Sequence, residues 1–224
     1  MLTAFTEKIW TCHSDLSVFG VELGTRMTIV DLDGQGTLLV HSPVKLSKDL
    51  KEEIDRLGVV NYVVAPNKWH HFFVADFKGF YPKAKFYCAP GLEAKRPDFK
   101  FDAVIGSEQT YPWNPSLAHL CVAGIPIFNE VVFFHSETKT LIVTDLAIHI
   151  CQSRSLLTRT IFKAMGAYGK LGWAKLEKIL YVRNRKEFKE SVEKILRWDV
   201  EKIMLTHGEP VKIGGKERLR KAFL

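Results

Sequence analysis

The sequence predicts an α/β protein, and three observations support this class. Residues 26–89 alternate between apolar runs of strand length and segments with helical periodicity, in the order ββαβαβ. A second pair of apolar runs, over 130–145, has the pattern of a β-hairpin. A last short apolar run precedes a His-Gly pair and a terminal helical segment. No internal repeat or linker interrupts these patterns, so we expect a single domain over residues 1–224.

The N-terminal elements follow from apolar spacing and from the residues that end each run. Gly34 and Gly36 stand in the turn of the first hairpin, Ser47 caps the first helix and Gly58 ends it. Pro66 ends the strand that follows. The predicted elements are strands over 26–32 and 37–41, a helix over 48–57, a strand over 59–64, a helix around 76–81 and a strand over 85–89.

The C-terminal half contains the second hairpin, a basic helical segment and a final strand and helix. Asn184 and Glu187 have the spacing of a capping box, which opens a helix at Arg185. The predicted elements are strands over 130–135 and 140–145, helical segments from 153 that end with a helix over 185–198, a strand over 202–205 and a helix from 215.

Positive charge is concentrated in one segment. The whole chain has a net charge of +7, whereas residues 153–198 alone have twelve Lys and Arg against four Glu, a net charge of +8. This segment is expected to be a basic helical insert. It either keeps exposed helices in solution or forms a lid whose field attracts an anionic substrate.

The sequence also predicts where the protein is located and which partners it lacks. The start of the chain lacks the pattern of a signal peptide, and no run approaches the ~20 apolar residues of a membrane span. Four cysteines are scattered without a C-x-x-C spacing, which is typical of reduced thiols. A cytoplasmic protein with no membrane partner is therefore expected. No nucleic-acid-binding signature is present, so nucleic acid is not an expected partner.

Candidate metal ligands follow three predicted strands. His70 and His71 lie in VAPNKWHHFF after the third strand, Asp145 follows the second hairpin, and His207 follows the last strand. Histidine and carboxylate ligands with one open position are typical of catalytic zinc or iron centres. Taken singly, each residue also fits a structural role, and only their joint placement points to a site.

The order of these elements resembles the metallo-β-lactamase-like hydrolase superfamily, a four-layer αββα sandwich with metals between its sheets. Its motif His-x-His-x-Asp-His starts at Pro66 in this chain, so Pro66 and Lys68 replace its first two histidines. His70 stands at the motif aspartate and His71 at its last histidine. Asp145 matches the bridging aspartate, and His207 in LTHGEP matches the final histidine. The later histidine of the family has no match in register, the nearest being His119 and His135.

The resemblance therefore implies that one metal position is lost and the other is kept. His70, His71, Asp145 and His207 would hold one divalent ion, with zinc, iron or manganese as candidates, or the site would hold none. Asp145 would also orient the attacking water. Lys68 would either be a solvated loop residue or stand beside Asp145 and replace part of the lost positive charge. Asn67, His41, Glu130 and His149 are the other candidates to line the cleft. His41, Glu130 and His149 also fit a structural role as hydrogen-bonding residues.

Two functions fit these residues. The first is a metal-dependent hydrolase of esters, lactones, thioesters or phosphodiesters, with a small and in some cases anionic substrate. The second is a binding or scaffold protein that keeps the fold and has lost its metal. The sequence contains no information on oligomeric state.

Overall fold

The computed structural model describes all 224 residues. The strands are β1 (Thr3–Ala4), β2 (Ile9–Ser14), β3 (Ser17–Val18), β4 (Val21–Glu22), β5 (Thr25–Asp31), β6 (Thr37–His41), β7 (Val59–Ala65), β8 (Lys85–Cys88), β9 (Ala103–Val104), β10 (Leu117–Cys121), β11 (Val131–His135), β12 (Thr140–Val143) and β13 (Lys202–Leu205). The helices are α1 (Lys48–Asp55), α2 (Val74–Phe80), α3 (Leu92–Lys95), α4 (Leu156–Ala164), α5 (Lys175–Tyr181), α6 (Arg185–Ile195) and α7 (Gly215–Phe223). None of the helices is long and apolar enough to cross a membrane.

The N-terminal sheet has seven strands in the order β1-β2-β5-β6-β7-β8-β9. Its first four strands pair antiparallel, and the pairs from β6–β7 onward are parallel. The β5–β6 hairpin is held by its turn, where the carboxylate of Asp31 accepts backbone N–H bonds from Asp33, Gly34 and Gly36. Parallel pairing from β6 onward brings the ends of β6 and β7 to the same edge, where His41 is paired with Val64.

The C-terminal sheet has the order β10-β11-β12-β13. Strands β12 and β13 are parallel, with Val143 beside Leu205. Two residues beyond each of these positions lie Asp145 and His207. The register of one strand pair therefore brings two of the predicted ligands to the same edge of the sheet.

The hydrophobic core has three parts, one between the two sheets and one between each sheet and its helices. Successive side chains of a strand point into different parts of this core. On β13, Met204 points into the core between the two sheets, whereas Ile203 and Leu205 point toward α6 and α7. On β5, Val30 joins the core between the sheets and Ile29 faces the core that α1 and α2 cover. The chain is therefore an αββα sandwich, and the predicted fold class is confirmed.

The basic segment 153–198 consists of helices with different surroundings. In α6, Phe188, Val192 and Ile195 are buried against the C-terminal sheet, so this helix forms part of a layer of the sandwich. In contrast, α5 has no buried residue. Helix α4 packs on the small β3–β4 hairpin, where Thr158 Oγ1 accepts the backbone N–H of Glu22 at 2.9 Å.

Candidate metal centre

Three of the four predicted ligands converge between the ends of the two sheets. Nε2 of His70 lies 3.3 Å from Oδ2 of Asp145, and Nε2 of His207 lies 3.3 Å from Oδ1 of the same carboxylate. The two Nε2 atoms are 3.2 Å apart. All three residues are nearly buried, with side-chain exposures of 9%, 13% and 5% for His70, Asp145 and His207.

These separations suit a metal ion. In a tetrahedral site with bonds of ~2.0–2.1 Å, neighbouring ligand atoms are about 3.3 Å apart. The two Nε2 atoms are 3.2 Å apart, and each lies 3.3 Å from a different oxygen of the Asp145 carboxylate. Two histidines and one carboxylate form the ligand set of several catalytic zinc and iron sites, which leave a position open for water or substrate.

Both imidazole rings are fixed through Nδ1, which leaves Nε2 of each ring facing the cluster. Nδ1 of His207 lies 2.6 Å from the carbonyl oxygen of Gly24. Because a carbonyl only accepts, Nδ1 is the protonated nitrogen, and in the neutral ring Nε2 presents its lone pair to the cluster. Nδ1 of His70 is likewise engaged, at 2.9 Å from Oγ of Ser42. Two bare lone pairs at 3.2 Å would repel each other, so this arrangement requires a proton or a cation between the rings.

The charge state of the cluster also favours a cation. Burial would raise the pKa of Asp145, but the charges and hydrogen bonds of His70 and His207 outweigh it and keep this pKa below its usual range. Burial would lower the pKa of His207, and its hydrogen bond to Asp145 reverses the direction and raises this pKa. The carboxylate is therefore ionised and paired with positive charge.

Asn67 joins the two sides of the site. Its Nδ2 donates to Oδ2 of Asp145 at 2.7 Å and to Oγ1 of Thr144 at 2.9 Å. Its Oδ1 accepts the backbone N–H groups of Trp69 and His70, both at 2.8 Å. This side chain therefore shapes the loop that carries His70 and fixes that loop relative to Asp145.

Glu130 is fully buried behind Asp145. Its two carboxylate oxygens each accept a backbone N–H at 2.7 Å, one from Thr144 and one from Leu146. These residues flank Asp145, so Glu130 holds the backbone that presents the ligand. Burial, together with the charge of Asp145, raises the pKa of Glu130 to about 8.

His71 is not part of the cluster, which corrects the predicted set of four ligands to three. Its Nδ1 lies 3.0 Å from Nη1 of Arg96, and its ring packs against Phe72. Burial, followed by the charges of Lys95 and Arg96, lowers the pKa of His71 to about 4. The turn around Asn67 sends two adjacent histidines to different sides of the loop, and only His70 faces Asp145.

Lys68 points away from Asp145 and is partly exposed. Its ammonium donates to the carbonyl of Pro126 at 2.8 Å, and the amide that contacts Asp145 belongs to Asn67. The positive charge of Lys68 is therefore not in contact with the bridging carboxylate. The loop places consecutive side chains on opposite sides, so Asn67 faces inward and Lys68 outward.

The remaining predicted histidines lie around the site without joining it. His41 is buried with no hydrogen-bond partner on either ring nitrogen, and burial, then the charge of His70, lowers its pKa to about 3. His149 lies 2.8 Å from the carbonyl of Glu209 through Nδ1 and 2.9 Å from Sγ of Cys151 through Nε2. His119 and His135 make their hydrogen bonds elsewhere, to the carbonyl of Gly106 and to Thr138.

Sequence reasoning missed Ser42 and Gly24, which hold the two ligand rings. Ser42 adopts a left-handed backbone conformation, with φ of 55°, directly after β6. Neither residue belongs to a motif, and their contacts span 28 and 183 positions of the chain. No local signal in the sequence points to either residue.

A cavity of about 590 Å³ adjoins the site beside His207. It is lined by Gly24 and Gly208, and also by Arg26 and Arg154. Arg26 is 93% buried, and its guanidinium donates to the carbonyls of Leu205 and Gly208. The cavity has the size of a small-molecule pocket.

Solved structures with the same fold are metallo-β-lactamases. DIM-1 matches with a TM-score of 0.68 at 12% identity, over 99% of this chain and 94% of that chain. The enzyme from Pontibacter korlensis matches with a TM-score of 0.67 at 13% identity, over 100% and 98%. FIM-1 from Pseudomonas aeruginosa, in its mono-zinc form, matches with a TM-score of 0.65 at 13% identity, over 98% and 91%. At such identities the likeness shows a shared fold.

Sequence comparison places the chain in a family. A comparison with curated proteins gave no match. The sequence model described as a domain of unknown function, DUF4336, matches residues 6–165, which is more than half of the chain. The protein therefore belongs to the DUF4336 family, and its fold is that of the metallo-β-lactamases.

Proposed function

We propose that this protein is a metal-dependent hydrolase that uses one divalent ion held by His70, Asp145 and His207. The observation that carries the proposal is that the two Nε2 atoms, 3.2 Å apart, each lie 3.3 Å from an oxygen of the same carboxylate, with both rings anchored through Nδ1. A cation at that point would act as a Lewis acid on a carbonyl or phosphoryl oxygen and lower the pKa of a water molecule.

The chain's own residues would then position the reactants. Asp145, held by Asn67 and by the backbone that Glu130 fixes, would accept a hydrogen bond from the attacking water and orient it. Trp173 donates its indole N–H to the carbonyl of Asp145 at 2.7 Å and packs near Tyr181. These aromatic residues support the site from the side of α5 and limit access of bulk water.

The donor set favours zinc, with iron(II) and manganese(II) as alternatives. Imidazole suits zinc and iron, and two histidines with one carboxylate form both catalytic zinc sites and non-haem iron sites. A mono-zinc form of one structural neighbour, FIM-1, is compatible with a single ion in this fold. Esters, lactones, thioesters and phosphodiesters all undergo the chemistry proposed.

Metal content tests the proposal directly. Protein purified without chelators should contain close to one equivalent of a divalent metal by elemental analysis, and His207→Ala should lose it. His71→Ala is the matched control, because its ring lies outside the cluster. Protein reconstituted with zinc should hydrolyse a member of a panel of chromogenic esters, thioesters and phosphodiesters, and His207→Ala should not.

The alternative is a non-catalytic binding or scaffold protein. It draws support from Pro66 and Lys68, which stand where the resemblance expects histidines of another metal position. No metal in the parent protein, and no uptake from added zinc, iron or manganese, would favour this alternative. Bound metal without turnover on the whole panel would support a metal-binding protein rather than a hydrolase.

A further inference from the structure

An exposed apolar patch lies at the tip of the β3–β4 hairpin and on the first turn of α4. We define this hairpin–α4 patch by Val18, Phe19, Leu156 and Leu157, whose exposed fractions are 42%, 100%, 70% and 51%. The two parts are in contact, because a methyl of Leu157 lies 3.3 Å from where a Cβ on Gly20 would be. Single exposed apolar side chains are common, whereas a contiguous group indicates a binding surface.

The β3–β4 hairpin stands apart from the two large sheets, and its tip is exposed. Strands β3 and β4 pair only with each other, in a separate two-stranded sheet. The backbone N–H of Glu22 donates to Thr158 Oγ1 at 2.9 Å, which fixes the hairpin against α4. Phe19 has a left-handed backbone, with φ of 49°, and none of its side-chain surface is covered. Nothing within the chain explains this exposure of an aromatic ring.

Basic residues without an ion pair lie on α4 and in the segments that flank it. Residues 153–170 contain Arg154, Arg159, Lys163 and Lys170 but no Asp or Glu. None of these four side chains forms an ion pair, although other exposed lysines and arginines of the chain do. The pair Arg159 and Lys163 is spaced by one helical turn and therefore lies on one side of α4.

The nearest carboxylates lie away from the tip. Asp15 precedes β3, and Glu22 is paired with Ser17 at the open end of the hairpin. Glu22 also accepts a hydrogen bond from Ser153 Oγ at 3.1 Å. Both carboxylates line the cavity beside His207, as does Arg154, so these three charges face that cavity rather than the patch.

We propose that the hairpin–α4 patch docks on an anionic lipid surface, with Phe19, Leu156 and Leu157 entering the headgroup region and the arginines and lysines pairing with phosphate and carboxylate groups. Apolar side chains flanked by basic ones are the features of interfacial membrane binding. Docking on a surface needs no spanning segment, so the lack of a long apolar run does not bear on it.

Charge and apolarity together favour lipid over other occupants. A second copy of the chain that met the patch through a two-fold axis would bring like charges together at Arg159 and Lys163. A nucleic acid would pair with the basic residues but leave Phe19 and the two leucines without an apolar partner. An anionic bilayer satisfies both kinds of side chain.

Vesicle flotation with the full-length protein tests this proposal. Vesicles of phosphatidylcholine with about a third phosphatidylserine should bind the parent protein, and pure phosphatidylcholine vesicles should bind at least about tenfold less. Rising salt should weaken binding to the anionic vesicles, because screening weakens the contribution of the exposed cations. No binding of the parent protein to anionic vesicles would overturn the proposal.

Three variants locate the surface. Phe19→Glu combined with Leu157→Glu, and separately Arg159→Glu combined with Lys163→Glu, should each reduce binding about tenfold or more. Ile213→Glu is the matched control, because Ile213 is 74% exposed and lies beside Gly214, away from the hairpin. Equal loss in the control, or no loss in the patch variants, would overturn the proposal. So would a dimer in solution that only the patch variants disrupt, since it would identify a second copy as the occupant.

The vesicle experiment tests lipid binding independently of the proposed hydrolase function. None of the substituted residues contributes to the His70, Asp145 and His207 cluster. Metal content and circular dichroism of every variant should therefore equal those of the parent protein. Vesicle binding can succeed or fail independently of metal content.

Discussion

The side chain of Asn67 connects the His70 loop to the segment that carries Asp145. It makes four hydrogen bonds, two to side chains on the Asp145 side and two to backbone N–H groups on the His70 side. We expect Asn67→Ala to lower the free energy of unfolding by at least about 2 kcal/mol, because buried partners lose their hydrogen bonds. Denaturant unfolding measures this cost.

The same substitution should weaken metal binding, because His70 would no longer be fixed relative to Asp145. Asn67→Asp is the informative comparison, since its oxygens can still accept the two N–H groups while its charge opposes Asp145 at 2.7 Å. We expect zinc titration to show weaker binding in both variants. Unchanged zinc affinity in Asn67→Ala would contradict the proposed positioning role.

The burial of His41 is expected to make the folded protein less stable at acid pH. Its pKa is lowered to about 3, so the folded state binds fewer protons than the unfolded state between about pH 6.5 and 3. Stability is therefore complete above pH 6.5 and lost as pH falls through this window, by at most about 1.4 kcal/mol for each pH unit. Unfolding free energies measured at several pH values should show this slope.

His41→Leu should reduce the slope. Because neither ring nitrogen has a hydrogen-bond partner, we expect little loss of stability at pH 7. A large loss at pH 7 would indicate that the imidazole makes a water-mediated bond, and an unchanged slope would assign the acid sensitivity to other groups.

At the scale of elements, α5 and α6 belong to the same basic segment but differ in what they cover. Ile195 of α6 is 2% exposed within the core on the C-terminal sheet, whereas Ile179 of α5 is 61% exposed. Ile195→Ala should cost about 2–5 kcal/mol of stability, and the same change at Ile179 less than about 0.5 kcal/mol. Equal effects, measured by urea unfolding, would contradict the assignment of α6 as a layer of the sandwich.

At the scale of the whole molecule, the proposed ion would join the two sheets, since His70 follows a strand of one sheet and His207 a strand of the other. Zinc at about 100 times its dissociation constant adds about 2.7 kcal/mol of stability. This corresponds to a rise in Tm of roughly 5–10 °C for a chain of this size. Differential scanning calorimetry with and without added zinc measures the shift.

A chelator should reverse this rise, and His71→Ala should retain it. Asp145→Ala should lose the response to zinc, because it removes the ligand that contacts both histidines. A zinc-dependent Tm that survives Asp145→Ala would place the ion somewhere else in the molecule.

The sequence by itself determined the elements that have strong local signals. The β5–β6 hairpin, α1 with its Ser47 cap, β7, and the β11–β12 hairpin all lie within one or two residues of their predicted bounds. Short or mixed strands such as β2, which contains His13 and Ser14, lacked a clear alternation and were not predicted. Local periodicity indicates which face of an element is buried. This information is enough to predict long, regular elements.

Only the tertiary structure decided which polar residues meet. His70 and His71 are adjacent residues of the same type, and the sequence does not distinguish them. In the structure, the turn at Asn67 directs His70 to Asp145 and His71 to Arg96. Side-chain direction in an irregular loop depends on hydrogen bonds to distant segments, which no periodicity encodes. The exposure of Phe19 likewise depends on the β3–β4 hairpin standing apart from both large sheets. Residue types and strand ends are local properties of the chain, whereas convergence and exposure arise from packing between segments that are far apart in sequence.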